Sequence, residues 1–249
     1  MSDPGYRPYE PQLTPQRIAD RIWTVDGPEV AYRFAGLTLP CPTRMTIVQL
    51  ADGQLWLHSP TAYTGALGEQ VAALGTVAWI VAPNSFHYCH IAAWAAAFPE
   101  AACHVSPDLA PKLTVTLPAH SLLDDTAPMA WASEIDQLLV RAGSFTEAVF
   151  FHRHARTLIV TDLMQNFEAS RIGRRFNRLV LQIGGATGPR GTTSMDVRHA
   201  ARKHHAVIRA AAVQMAAWNP ARIILSHGKC YDHNVQEELA TAFAWARSR

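Results

Sequence analysis

The chain has 249 residues, of which 49% are hydrophobic and 17% charged, and its formal net charge is +2. This apolar content is enough for a sizeable core, in one large domain or two small ones. The small net charge excludes a strong electrostatic attraction to nucleic acid or to an anionic membrane. Residues 1–11 lack the pattern of a signal peptide, and no apolar run is long enough to cross a bilayer. We therefore expect a cytoplasmic protein that binds neither nucleic acid nor membranes.

The chain begins with a polar, proline-rich segment. We expect residues 1–20 to form a surface tail, followed by a single domain over residues 21–249. In the first half of that domain, the pattern predicts a strand, a β-hairpin with an Asp-Gly turn, a helix capped by Thr64, a second strand and a second helix. In chain order these elements cover residues 22–25, 45–50 with 54–58, 64–74, 77–82 and 91–98.

The second half of the chain starts with an ambiguous region over residues 113–143, in which 134–140 fit either a helix or a strand. The pattern then predicts another hairpin, a long helix, a strand and a final helix. These elements cover residues 147–151 with 157–161, 194–218, 222–225 and a helix from about Asn234. Hairpins followed by mixed strands and helices predict one α/β (α+β) sandwich.

Candidate metal ligands follow three of the predicted strands. The stretch Ser85–His90 comes directly after the strand over 77–82, Asp162 follows the second hairpin, and His227 follows the last strand. Turns at the ends of buried strands can bring side chains from distant parts of a chain to one point. Imidazole, thiolate and carboxylate are the groups that bind zinc in proteins. The sequence therefore predicts a metal site at one end of the sandwich.

The same residues resemble the metallo-β-lactamase fold superfamily. That family has a His-x-His-x-Asp-His turn after a strand, a later Gly-His turn, an Asp at a strand end and a final His near the C-terminus. The resemblance covers the chain from about Ile22 to its end. It implies a four-layer αββα sandwich. Segments of an uncharacterised subfamily correspond to Leu55–Pro60, Ala82–Asn84 and Ser226–Gly228.

Two ligand positions of the family are occupied by serine in this chain. Ser85 stands at the first His of the turn, and Ser144 stands at the His of the Gly-His turn. The resemblance therefore implies that the three-His metal site is lost. It implies instead one zinc ion held by the remaining positions, which are Cys89, His90, Asp162 and His227. Because four protein ligands with no vacancy describe a structural site, catalysis there requires either that Asp162 step back and admit water or that the zinc ion take a higher coordination number.

Two further histidines are implied to take part in the reaction. His87 stands at the second His of the turn and is expected to line the pocket, and His58 is expected to handle protons. The resulting hypothesis is a zinc-dependent hydrolase acting on a small molecule. The Gly- and Thr-rich loop over 184–193, together with two arginine-bearing helices, suggests an anionic substrate.

Two alternatives remain open. The loss of family ligands equally suits a non-catalytic binding or scaffold protein, whose pocket is expected to be filled by side chains. A thiol-redox protein is the other alternative, and it requires Cys89 to be a reactive thiolate. The four cysteines form no Cys-x-x-Cys pair and are expected to be free thiols: Cys41, Cys89, Cys103 and Cys230.

Overall fold

A computed structural model of the chain describes residues 5–34, 36–109, 116–117, 119–189 and 191–247. Its strands form two sheets. The seven-stranded sheet has its strands in chain order: β1 (Gln16–Ala19), β2 (Ile22–Phe34), β3 (Leu37–Gln49), β4 (Gln54–His58), β5 (Thr76–Ala82), β6 (Ala102–Val105) and β7 (His120–Leu122). The four-stranded sheet has the order β11-β10-β9-β8, with β8 (Ile135–Ala142), β9 (Phe145–His152), β10 (Thr157–Val160) and β11 (Arg222–Leu225).

Six α-helices accompany the sheets in the described part of the chain: α1 (Gly65–Ala72), α2 (Ile91–Ala97), α3 (Arg175–Ile183), α4 (Met195–Ala200), α5 (His205–Ala217) and α6 (Val235–Ala242). Two single turns of 3-10 helix, Ala169–Arg171 and Ala244–Ala246, lie between and after them. No described helix has the length and apolar character needed to cross a bilayer.

The layering follows from the period-2 alternation of side chains along the strands. In β4, Leu55 and Leu57 face a core shared with α1 and α2, whereas Trp56 faces the other sheet. In β9, Phe151 faces a core shared with α5 and α6, whereas Phe150 meets Trp56 between the sheets. Both sheets therefore bury both faces. The result is the four-layer αββα sandwich predicted from the sequence.

The predicted hairpins are confirmed. β3 and β4 pair with Gln49 opposite Leu55, and Gly53 in their turn has a positive φ of 85°. Thr64 caps α1 by accepting a hydrogen bond from the Leu67 N–H at 3.2 Å. Of the ambiguous residues 134–140, Glu134 lies in a turn and the rest belong to strand β8, because the sheet provides hydrogen-bonding partners along β9. Residues 113–115 and 118 of the ambiguous region lie outside the described residues.

Two expected elements differ in the structure. The helix predicted over 194–218 is divided into α4 and α5 by a turn at residues 201–204. Residues 5–20, expected to form a surface tail, lie against the domain. β1 pairs with β2, and Tyr6 is only 2% exposed against Phe167, Ile172 and other apolar side chains. Burial of an aromatic ring and added strand pairing hold this segment in place despite its polar composition.

Candidate metal centre

The candidate site lies at one end of the sandwich, where three strand ends meet. β10 and β11 are parallel neighbours, with Val160 opposite Leu225. Asp162 and His227 each follow two residues after these paired positions, so the same edge of the sheet presents both side chains. His87 reaches them from the loop that follows β5. Of the described residues, these three form the group whose ligand atoms all lie within 4.8 Å of one another.

The ligand atoms of the three residues converge on one point. The two Nε2 atoms of His87 and His227 are 3.1 Å apart. His87 Nε2 lies 3.2 Å from Asp162 Oδ2, and His227 Nε2 lies 3.4 Å from Asp162 Oδ1. The side chains are at most 10% exposed. We call this group, His87, Asp162 and His227, the His–Asp–His cluster.

The second ring nitrogen of each histidine has its own partner. His227 Nδ1 lies 3.0 Å from the Pro42 carbonyl oxygen, to which it donates a proton. His87 Nδ1 lies 2.7 Å from Ser59 Oγ. Histidines that bind metals are typically oriented in this way, with one nitrogen held by the protein and the other directed at the ion. The arrangement leaves both Nε2 atoms to face Asp162.

Asn84 shapes the loop that carries His87. Its Oδ1 accepts hydrogen bonds from the N–H groups of Phe86 and His87, both at 2.9 Å. Its Nδ2 donates to Asp162 Oδ2 at 2.8 Å. One buried amide thus joins the His87 loop to the end of β10. It was not identified as a site residue from the sequence, although the Ala-Pro-Asn segment contains it.

Glu147 is a second supporting residue that the sequence analysis missed. It is fully buried in β9, and its carboxylate accepts the N–H groups of Thr161, Asp162 and Leu163 at 2.8, 2.7 and 3.1 Å. It therefore holds the backbone on either side of the Asp162 ligand. Burial, and then repulsion from Asp162, raise the pKa of Glu147 to about 7. The signal was available in the sequence, because Glu147 is the one carboxylate in the mostly apolar β9.

The His227 turn is held by a close backbone approach and by a buried cation. Gly228 has a φ of 89°, and a Cβ there would lie 1.9 Å from the Asn166 carbonyl oxygen. Arg44 Nη1 donates to the carbonyl oxygens of Leu225 and Gly228 at 2.6 and 2.8 Å. The turn therefore requires glycine at position 228. It places the His227 side chain in the cluster.

The charges within the cluster are coupled. Burial alone would raise the pKa of Asp162, but His87 and His227 hold it well below its usual range. Burial opposes the charged form of His227, yet Cys41 and Asp162 raise its pKa well above the usual value. Burial lowers the pKa of His87 more than Asp162 raises it. The raised pKa of His227 and the lowered pKa of Asp162 favour an imidazolium–carboxylate pair, with whose proton a cation would compete.

The donor set fits a zinc ion. Zinc–nitrogen and zinc–oxygen bonds of about 2.0–2.2 Å in a tetrahedral site place neighbouring ligand atoms roughly 3.3–3.6 Å apart. In the cluster the two Nε2 atoms are 3.1 Å apart, and they lie 3.2 and 3.4 Å from Oδ2 and Oδ1 of Asp162, so two of the three separations are slightly shorter than that range. Two imidazoles and a carboxylate are a zinc donor set, and three protein ligands leave a fourth position for water or substrate.

Cys89 and His90 lie outside the cluster, so the ligand set expected from the sequence is not assembled. Cys89 is exposed, and its Sγ lies 3.7 Å from the Phe86 carbonyl oxygen. His90 is half-buried at the start of α2. The Asn84 turn directs His87 toward β10 and β11, whereas Cys89 and His90 line the adjoining cavity without joining the cluster. Asp162 and His227 do meet, with His87 in place of the two expected ligands.

His58 lies in the core between the sheets. It is 0% exposed, stacks on Trp56 at 5.4 Å between ring centroids, and has no hydrogen-bond partner at either ring nitrogen among the described residues. Burial, and then the charge of His87, lower the pKa of His58 to about 3. Its ring therefore stays neutral at physiological pH.

A cavity of about 320 Å³ opens beside the cluster. His87, Asp162 and His227 form part of its wall, as do Cys41 and Ser59, which the sequence analysis did not propose as site residues. Cys41 Sγ lies 3.6 Å from His227 Nε2. Cavities of about 300–1,000 Å³ are typical of small-molecule sites.

The fold and its two-sheet core are those of the metallo-β-lactamases. The metallo-β-lactamase FIM-1 from Pseudomonas aeruginosa, described in its mono-zinc form, is 16% identical, with 95% of this chain and 96% of that chain covered and a TM-score of 0.60. A metallo-β-lactamase from Pontibacter korlensis is 12% identical over 94% of this chain and 99% of that chain, with a TM-score of 0.60. The metal-soaked Flv1 flavodiiron core from Synechocystis sp. PCC6803 is 12% identical over 98% of this chain and 62% of that chain, with a TM-score of 0.60.

Within this fold class, the chain belongs to the family described as Domain of unknown function (DUF4336), whose model matches residues 19–172. No curated protein sequence matches the chain.

Proposed function

We propose that the protein is a mononuclear zinc-dependent hydrolase of small molecules, with His87, Asp162 and His227 as the metal ligands. The observation that carries the proposal is the convergence of two Nε2 atoms and a carboxylate within 3.1–3.4 Å. Both histidines also have a partner at Nδ1, as metal ligands typically do. When bound, zinc supplies a Lewis acid that lowers the pKa of a coordinated water and polarises the bond under attack.

The chain's own residues hold and enclose this centre. Asn84 and Gln165 donate to the two oxygens of Asp162 at 2.8 and 3.0 Å, which orients the carboxylate toward the histidines. Ser59 and Pro42 orient the imidazoles. The low exposure of all three ligands excludes bulk water from one side of the site and strengthens electrostatic interactions there.

His87, which the sequence suggested only as a residue that lines the pocket, serves in this proposal as a ligand. His58, which the sequence suggested for proton transfer, is not proposed for it, because it lies between the sheets and does not line the cavity. The scaffold alternative expects side chains to fill the pocket. The cavity beside the cluster favours the hydrolase.

The direct test is the metal content of protein purified without chelator. We expect one equivalent of zinc per chain in the wild type, and its loss in His87→Ala, Asp162→Ala and His227→Ala. Cys89→Ser and His90→Ala are matched controls, since both residues lie on the His87 loop but outside the cluster, and they should keep the metal.

Two results would contradict the proposal. The first is a wild-type protein that neither contains zinc nor takes it up when zinc is added. The second is metal loss in the Cys89 and His90 variants with retention in the His87 variant, which would restore the ligand set expected from the sequence.

A further inference from the structure

The cavity beside the His–Asp–His cluster has mostly apolar walls. They come from the β2–β3 hairpin, the His87 loop, α3 and α4. Phe86 and Tyr32 meet edge to face at 6.0 Å between ring centroids. The main apolar contributors are Val30, Leu39, Phe86, Val180, Leu181 and Met195.

None of the described side chains that line the cavity belongs to a lysine or an arginine. Its carboxylates are Asp162, which belongs to the cluster, and Asp196 at the start of α4. Asp196 Oδ2 accepts a hydrogen bond from the Tyr32 hydroxyl at 2.7 Å. Burial, and then the Asp196 carboxylate, raise the pKa of Tyr32, so the hydroxyl keeps its proton. An anionic group beside Asp196 would meet a like charge, and the described lining residues include neither lysine nor arginine. The basic side chains of the cavity are the histidines His87, His90 and His227.

Three of the arginines that suggested an anionic substrate have structural partners. Arg198 donates to the Thr193 carbonyl oxygen at 2.7 Å and to Thr192 Oγ1 at 2.6 Å. Arg171 donates to Glu168 Oε2 at 2.9 Å, and Arg178 donates to the Ile172 carbonyl oxygen at 2.9 Å. These cations hold loops and helix ends, and they do not line the cavity.

We propose that the substrate of this pocket is neutral and mostly apolar beyond the bond that is cleaved, such as an ester or thioester with an acyl chain or an aryl group. The inference rests on the proposed function for the reaction, but the selectivity for a neutral apolar group depends on the cavity walls alone. An anionic substrate, as suggested from the sequence, does not match these walls.

Two fluorescent probes that share one scaffold test the selectivity without any reaction. N-phenyl-1-naphthylamine is neutral, and 8-anilino-1-naphthalenesulfonate adds a sulfonate to the same ring system. Both are titrated into metal-free protein, so that neither can ligate zinc. We expect the neutral probe to bind at least about tenfold more tightly, which corresponds to about 1.4 kcal/mol.

Substitutions at the mouth of the cavity test whether the probe binds there. Met195 lines the cavity and is 48% exposed, whereas Val213 on α5 is 69% exposed and does not line it. Met195→Glu should weaken the neutral probe, and Val213→Glu should leave it unchanged. Met195→Lys should tighten the sulfonate probe. Because both residues are exposed, these variants should fold as the wild type does, and circular dichroism checks this.

The ester arm separates this inference from the proposed function. Zinc-loaded protein is assayed with 4-nitrophenyl hexanoate and with mono-4-nitrophenyl adipate, which ends in a carboxylate. If the neutral probe binds selectively but neither ester is hydrolysed, the proposed hydrolase activity is contradicted, whereas the inference of a neutral, apolar ligand is not. The substrate class is overturned if the sulfonate probe binds as tightly as the neutral one. It is equally overturned if neither probe binds, or if Val213→Glu weakens binding as much as Met195→Glu.

Discussion

Glu147 offers the sharpest test of how the site is held together. Its two carboxylate oxygens divide three backbone donors: Oε1 accepts from Thr161, and Oε2 accepts from Asp162 and Leu163. Glu147→Gln keeps one acceptor oxygen, which can occupy the Oε2 position and retain two of the three bonds. Glu147→Ala keeps none. Because both variants lack the carboxylate, the difference between them does not depend on the ionisation of Glu147.

The expected difference follows from the number of donors left without an acceptor. A buried N–H without a partner costs about 1–3 kcal/mol. The Ala variant leaves three backbone N–H groups without an acceptor, whereas the Gln variant leaves that of Thr161 and adds its own amide N–H2 beside it. The Ala variant therefore has one more unpaired group and should be less stable by about 1–3 kcal/mol. The methylene groups removed in the Ala variant add to the same side. Loss of the same bonds should also weaken zinc binding, by about 10–100-fold, because the Asp162 ligand is no longer oriented.

The difference can be measured by urea unfolding in the presence of chelator, followed by the fluorescence of the seven tryptophans. If the two variants unfold within about 1 kcal/mol of each other, the three backbone bonds do not act as described. Should the Ala variant fail to fold at all, the Gln variant still tests the account, since it should fold and retain zinc.

Three further predictions concern residues around the site. Gly228→Ala should destabilise the protein and lower its zinc content, because a Cβ would lie 1.9 Å from the Asn166 carbonyl oxygen; normal unfolding and zinc content in this variant would contradict the described turn. Burial lowers the pKa of His58 to about 3 and of His152 to about 4, so their contribution to stability is complete above the unfolded pKa of about 6.5 and falls as the pH drops toward those values. Between pH 7.5 and pH 5, each histidine should lower the free energy of unfolding by up to about 2 kcal/mol. Urea unfolding of His58→Leu should show a decrease that is smaller by the His58 contribution. Burial raises the pKa of the Cys89 thiol, so its alkylation by iodoacetamide, followed by mass spectrometry, should be slow at pH 7 and rise above pH 9; fast reaction at neutral pH would favour the thiol-redox alternative.

The strand ends were predicted from local sequence because their signals are local. The Asp52-Gly53 turn, the Thr64 cap and the apolar runs before Asp162 and His227 each depend on neighbouring residues. The fold class followed from the order of these elements and from the family resemblance. These features were sufficient to predict the four-layer sandwich and the proximity of Asp162 to His227.

Tertiary structure decided which side chain of the Ser85–His90 loop faces Asp162 and His227. Spacing alone allowed His87, Cys89 or His90 to face the metal, since a loop has no fixed side-chain period. The direction is set by Asn84, whose amide contacts both the loop backbone and Asp162. Glu147 lies 63 residues further along the chain from Asn84 and accepts from the same amide. Such partners meet only when the two sheets pack, so no window of sequence contains them. The physical reason is that hydrogen bonds between buried polar groups are satisfied across the fold, whereas turns and caps are satisfied within a few residues.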